Sequence, residues 1–455
     1  MTVTVVWFRR DLRLNDHPAL TGALQDGDRI APLFVVDDRL VSGRWRSANR
    51  LWLMRESVAA LARALESRGA ALAVLRGDPA AVVPAYAAAV GARRVAVSRD
   101  YAPFGRTRDE RVAARLGAAG IEWAPAPGVL IHEPEDVASA AGTPFRVFGA
   151  FERAWLTRAR RPVLPAADRI PGGSPGGAGR IEDHLAPVTP TADTTLLPVP
   201  GEAAARERLA RWAGGGALDG YATDRDRLDL EGTSRLGADL RWGALSPVEV
   251  AERCAGPGEG RRRFLSELAW RDFYAHLLWH EPRVARESFR PALDHVAWER
   301  DPAVIEAWRE GRTGYPVVDA AMRQLRSTGW MHNRARMIVA SFLTKHLGVD
   351  WRVGERHFME QLLDGDPASN NGGWQWAAST GTDPQPWFRV FNPTLQGLRH
   401  DPEGDYVRRW IPELEDLPGA SVHAPPPGRY PDPIVDHVLA RARALTAYRG
   451  SARGS

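Results

Sequence analysis

The chain has 455 residues, 44% hydrophobic, 8% aromatic and 25% charged, which excludes a collagen-like, coiled-coil or wholly disordered protein and provides for two or three domains. Basic and acidic side chains nearly cancel, 60 against 56, so the net charge of +4 is only a faint pointer to a polyanionic partner. The single cysteine, Cys254, excludes an internal disulfide and any multi-cysteine metal or iron–sulfur centre.

From the N-terminus, residues 3–7, 30–36, 71–75 and 94–97 are short apolar runs suited to buried strands. Between them Leu51, Met54, Val58, Leu61 and Leu65 recur at helical spacing. This alternation predicts a doubly wound parallel α/β domain over 1–130 and disfavours an α+β arrangement. Met1 leads straight into the first strand without a leader pattern, and no stretch approaches about 18 consecutive apolar residues, so a cytoplasmic protein that does not span a membrane is expected. Residues 131–200 read as an interdomain linker. Pro165, the run Pro171-Gly172-Gly173-Ser174-Pro175-Gly176-Gly177 and the prolines from Pro187 to Pro200 cannot sustain helix or strand. From 201 to 455 nearly every segment has a helical pattern. Ser246-Pro247 reads as an N-cap with proline at the first position, Phe264, Leu265, Leu268, Phe273 and Leu277 form an apolar stripe, and a last amphipathic segment lies near 435–445. The expected architecture is an α/β domain joined by a long linker to an all-helical domain.

Neither a G-x-G-x-x-G fingerprint nor a P-loop is present. Phe8-Arg9-Arg10-Asp11-Leu12-Arg13-Leu14 follows the first strand, and on residue types alone a structural salt-bridge turn is the better reading. Lys345 is the only lysine, and the 17 tryptophans outnumber both the 13 phenylalanines and the 8 tyrosines, many of them standing among polar and Gly residues. The segment Asp364-Gly365-Asp366-Pro367-Ala368-Ser369-Asn370-Asn371-Gly372-Gly373-Trp374-Gln375-Trp376 crowds carboxylates, amides, glycines and two indoles together. That mixture suits a flat heteroaromatic ligand with amide-like edges; taken alone, a tight structural loop is an equal reading. Two helical faces add to it. Glu267, Trp270, Arg271 and Tyr274 fall at i, i+3, i+4 and i+7, too polar a set for core, and Asn333, Arg336 and Met337 share a second face. His332, His346 and His357 lack a His or Cys partner at ligand spacing, so no metal site is expected.

Together with Glu231-Gly232-Thr233-Ser234-Arg235-Leu236, Trp330-Met331-His332-Asn333-Arg334-Ala335-Arg336-Met337 and Phe388-Arg389-Val390-Phe391-Asn392-Pro393, these segments make the whole chain resemble the photolyase/cryptochrome flavoproteins, most closely the class I photolyases of cyclobutane pyrimidine dimers. The resemblance implies reduced FAD in the helical domain. Light drives an electron from it to a flipped-out dimer, the cyclobutane ring opens, and the electron returns. It implies a monomer acting on UV-damaged DNA, double- or single-stranded; photolyases are among the enzymes that take their target out of the stack.

By matching motif, Tyr221, Thr233, Ser234, Arg235 and Leu236 would hold the FAD phosphates, Arg336 and Asp364 would pair across the flavin, Asp366 would bind nearby, and Asn370 would face flavin N5. Gly237 stands where many relatives have Ser, which removes one phosphate contact or leaves it to a backbone N–H. Glu267 would hydrogen-bond the thymine edge, Asn333 would lie between cofactor and lesion, Trp270 and Trp376 would stack on the dimer, and Met337 would pack against it. Arg225, Arg271, Arg334 and Arg389 would grip phosphates, and Trp374, Trp351 and Trp298 would relay electrons to the flavin. Phe34, Asp37, Asn49, Arg50 and Asp100 resemble the branch whose antenna is 8-hydroxy-5-deazaflavin rather than methenyltetrahydrofolate. The paired histidines of enzymes for the (6-4) photoproduct are replaced here by Asn333 and Met337. The acid that plant-type cryptochromes usually carry at Asn370 is absent, so repair is favoured over a cryptochrome-type photoreceptor signalling through protein partners.

Overall fold

The computed structural model describes residues 2–453 apart from 44, 173–178, 385 and 387. Five parallel strands, β1 (Val3–Phe8), β2 (Arg29–Val36), β3 (Ala73–Arg76), β4 (Ala92–Ser98) and β5 (Glu122–Ala126), form one sheet in the order β3-β2-β1-β4-β5. The chain therefore winds outward in both directions from β1, whose Val5 lies opposite Ala31 of β2 and Val95 of β4. Successive side chains go to opposite faces. Val6 and Phe8 join Leu51, Met54, Val58, Leu61 and Leu65 of helix α1 (Ala48–Glu66), whereas Val5 and Trp7 join Val83 and Val112 on the other side. Both faces are covered, which explains why the strands read as unbroken apolar runs. β5 lacks that signature because it is a half-exposed edge strand that tolerates Pro125.

The span 131–200 is more than bare connection. It contains α2 (Phe148–Thr157), whose Phe148, Phe151 and Trp155 are buried in a core shared with the helical half. Gly172 and Gly179 bridge to Ile30 and Val74 at the sheet; residues 173–177 of the Gly/Pro run lie outside the described residues.

The helices that build the site are α3 (Gly237–Trp242), α4 (Glu259–His280), α5 (Asn333–Ser341), α6 (Trp351–Gln361) and α7 (Pro367–Ala377), with α8 (His437–Arg453) closing the chain. Ser246 does cap the helix Pro247–Cys254, its Oγ accepting from the Val248 and Glu249 amides. α5 continues into a π-helical turn, Phe342–His346. Two cores result, one around Trp308, Phe342, Trp351 and Trp374, the other around Trp155, Trp212, Leu268 and Phe273. The turn after β1 is built of ion pairs, Arg9 with Asp109 and Arg10 with Asp100 and Asp366, and His17 Nε2 lies 3.0 Å from Asp11 Oδ2. Through Arg10–Asp366 and Leu12 N–H to the Trp242 carbonyl (3.1 Å), it docks the sheet half onto the helical half. Among the described residues no helix is long and apolar enough to cross a membrane.

Candidate active site

A cavity of about 400 Å³ lies within the helical half. α4 supplies Arg263, Glu267, Trp270, Arg271 and Tyr274; α5 supplies Asn333, Arg336 and Met337; α7 and the turn before it supply Asp364, Asp366, Asn370, Trp374 and Trp376; α3 supplies Gly237, Leu240 and Arg241. The polar faces deduced from helical spacing thus converge on one space.

Asp366 begins α7 as its N-cap, Oδ1 accepting from Ala368 and Ser369 amides at 3.0 and 3.1 Å. Burial works to raise its carboxyl, but the guanidiniums of Arg10, Arg241 and Arg271 outweigh it and hold it at about 2. Asp364 accepts from Arg336 Nη2 at 2.9 Å with one oxygen, while its Oδ1 is buried and has no protein partner. Arg241 donates Nε to the Gly365 carbonyl (2.8 Å), yet its Nη1 is also buried and unpaired. Burial, with Arg10 adding repulsion, pulls Arg241 down to about 9. Asn370 is fixed by Nδ2–H to the Glu355 carbonyl at 2.9 Å. Buried unpaired polar atoms are rare in native proteins; here an acceptor and a donor both border the same cavity. They fit a ligand that is polar at its edges and flat enough to lie against Trp374 and Phe358.

Gly237 fits this geometry for a steric reason. A Cβ there would stand 2.6 Å from Asp364 Oδ2, the oxygen that Arg336 holds.

Trp270 already has one face occupied. Phe148 of α2 stacks on it with centroids 3.7 Å apart and planes at 11°, leaving the other face for the cavity. Glu267 is held by Arg225 and, more loosely at 3.5 Å, by Arg263. Arg334 is tied to Asp226 (2.6 Å). Arg271 lines the cavity, with its Nη1 3.4 Å from Asp272 Oδ1. Arg389 and Phe388 are exposed.

Several other candidates are not among the residues that line the cavity. Tyr221 packs edge-on against Trp212 and Phe264, Leu236 is core, Ser234 Oγ accepts from the Leu236 amide at 3.4 Å, and Thr233 is half-buried in the same loop. The Arg235 guanidinium points to Glu231 and the Trp330 ring. Trp351 and Trp374 share a core with Trp298 packed on its edge, and Trp308, not singled out from sequence, stands edge-on to Trp374 at 6.0 Å. None of the five antenna candidates lines the large cavity. Phe34 is in the sheet core, Asp37 caps a short helix, Asn49 accepts from the Thr191 amide, Arg50 donates to the Met359 and Trp45 carbonyls, and Asp100 pairs with Arg10 and Arg108.

His332 accepts from the Arg334 amide, His346 meets His437 at 2.9 Å and His357 lies edge-on to Trp308. Among the described residues no group of His, Cys, Asp and Glu could hold a metal.

Lys345, in the π-helical turn, donates Nζ–H to the Arg389 carbonyl at 3.0 Å. Burial, with Arg389 adding repulsion, pushes the amine from 10.5 down to about 7. Between those values the unfolded chain carries a proton that the folded one does not. The contribution of Lys345 to stability is therefore complete above about pH 10.5 and is lost as the pH falls to 7. Compared by chemical denaturation at pH 7, 8 and 9, the wild type should gain up to about 1.4 kcal/mol per pH unit relative to Lys345→Met; parallel pH dependences would show that the amine does not titrate there.

Known proteins resemble this chain over its whole length. The description "DNA photolyase" matches residues 4–170 and "FAD binding domain of DNA photolyase" matches 264–450. A deoxyribodipyrimidine photo-lyase of Escherichia coli is 40% identical over 483 residues, covering 100% of both chains. The chain belongs to the DNA photolyase family. A bacterial class III photolyase structure from Agrobacterium tumefaciens superposes with a TM-score of 0.93 at 36% identity, covering 100% of this chain and 98% of that one. An archaeal photolyase structure from Sulfolobus tokodaii, described with two FAD molecules, gives 0.88 at 32% identity, covering 99% and 100%. The match to an FAD-binding domain makes FAD the cofactor of the helical half, in which the cavity lies.

Phe148 and Arg263 were not legible as site residues. Phe148 reaches Trp270 from a segment more than a hundred residues away, and Arg263 sits in a run of three arginines that looks like a solvated helix start.

Proposed function

We propose that the chain is a deoxyribodipyrimidine photo-lyase, a light-driven DNA repair enzyme that splits cyclobutane pyrimidine dimers. Bound FAD in its reduced state supplies the light-absorbing one-electron donor. Asp364, Arg336, Asp366 and Asn370 would hold it from the inner wall, with Arg241 offering a further donor. Across the cavity Glu267 accepts from the N–H edge of the extruded base, Trp270 and Trp376 give stacking faces, and Asn333 and Met337 line the space between. Stacking of this kind contributes about 1–3 kcal/mol per base. Phe148 holds Trp270 upright, so that face exists before the lesion arrives. Trp374, Trp351 and Trp298 form a path for reducing the flavin. The observation that carries the reading is that one cavity joins the Asp364–Arg336–Asn370 wall to the Glu267–Trp270 face, with guanidiniums at its rim.

The test is repair itself. Photoreduced protein with a dimer-containing oligonucleotide under near-UV or blue light should restore base absorbance. Glu267→Gln and Trp270→Ala should bind or repair the dimer at least about tenfold less well at unchanged flavin content. No recovery by a flavin-loaded, DNA-retaining wild type would favour the photoreceptor reading. The enzyme acts as a monomer. The residues at Phe34, Asp37, Asn49, Arg50 and Asp100 support an 8-hydroxy-5-deazaflavin antenna; folate or a second FAD in the extract of protein made in a deazaflavin-producing host would overturn that choice.

A further inference from the structure

The rim where α4 meets Arg225 and Arg334 holds three guanidiniums, Arg225, Arg263 and Arg334, against two carboxylates, Glu267 and Asp226. The surplus is one positive charge, and the geometry shows which residue bears it. Arg225 is closed onto Glu267, lies over the Tyr221 ring and has a side chain only 12% exposed. Arg334 makes a two-pronged pair with Asp226 at 3.3 and 2.6 Å and is 16% exposed. Arg263, one helical turn before Glu267, is 40% exposed, and its contact with an already engaged carboxylate is 3.5 Å, beyond a normal charge-assisted hydrogen bond. It stands on the wall of the cavity into which a base would turn.

We propose that Arg263 is a DNA-phosphate contact that holds the strand at the mouth of the cavity. The inference rests on the repair reading above. An extended guanidinium with a loose, shared partner loses little by turning to a backbone phosphate, and the exchange leaves Glu267 held by Arg225 and free to take the base edge. A phosphate contact carries no sequence or lesion information, so Arg263 serves damaged and undamaged DNA alike, whereas Glu267 and Trp270 read the lesion.

The experiment is a salt titration of binding, by fluorescence anisotropy, of a duplex with and without a dimer, using wild type, Arg263→Gln and Arg263→Lys at equal flavin loading. Neutralising one phosphate changes the slope of log K against log salt by about 0.9 for a duplex, equivalent to about eightfold in affinity at 0.1 M salt. Arg263→Gln should show that reduced slope and that loss on both DNAs, and Arg263→Lys should restore the slope. An unchanged slope overturns the proposal. So does a loss confined to the dimer-containing duplex, since it would mean that Arg263 acts only through Glu267. Failure of the wild type to prefer the dimer would instead refute the repair reading.

Discussion

Gly354→Val is expected to deprive the protein of its flavin. Gly354 lies on α6, and even a single Cβ there would stand 2.1 Å from Cη2 of Trp374 and 2.7 Å from the Leu343 side chain. The indole is 2% exposed and is boxed by Phe358 at 4.9 Å and Trp308 at 6.0 Å. Its way out leads into the cavity whose wall it forms. Overpacking a core by a methylene or two costs about 1–3 kcal/mol. A valine adds three carbons with the ring in the way, so the expected loss is at the top of that range or above, with the indole displaced into the ligand space. Visible flavin absorbance relative to protein absorbance should fall at least about tenfold. Gly22→Ala, where a Cβ meets nothing within 4 Å, should leave the ratio unchanged. A Gly354→Val protein with full flavin and unaltered melting would show that α6 and α7 can separate at little cost.

Asp364→Ala should have the second largest effect. The carboxylate receives Arg336 at 2.9 Å, is 11% exposed, and offers a second, unpaired oxygen to the cavity. Removing it leaves the Arg336 guanidinium without its anion, a change that costs about 3 kcal/mol for buried pairs. It also removes an acceptor from the cofactor wall, worth about 1–3 kcal/mol of binding. Flavin affinity, measured by fluorescence on reconstitution of the apoprotein, should fall by about tenfold to a hundredfold. Asp364→Asn, which keeps the shape and one acceptor, should fall less; equal affinity for the alanine variant and wild type would remove Asp364 from the cofactor site.

The local parts of this site could be read from the sequence because their physics is local. Helical spacing alone places Glu267, Trp270, Arg271 and Tyr274 on one face and Asn333, Arg336 and Met337 on another, and both line the cavity. The segment 364–376, which suits either a flat ligand or a tight loop as a sequence, proves to be a helix begun by the Asp366-Pro367 cap. Sequence could not show which polar group is already spent. Arg271, Arg334 and Arg225 look alike as letters, yet one lies inward beside Asp272 and two are committed to carboxylates. Phe148 could not be found either, because its i, i+3, i+7 pattern with Phe151 and Trp155 lies in a helix of only 10 residues and its stack on Trp270 is a tertiary contact. β5 escaped because an edge strand needs no apolar run.

The pair Arg10–Asp366 joins residues 356 positions apart. Asp366 caps the helix that carries Asn370 and Trp374, and Arg10 heads the cations that keep its carboxyl ionised. A fragment beginning at residue 201 would therefore carry every cofactor-wall side chain and still be a poorer vessel, its cap deprived of a countercharge that only the other half can lend. With Arg241 and Arg271 still facing Asp366, a helical piece split off at the junction should hold less colour than the whole chain and regain it when the other piece is added.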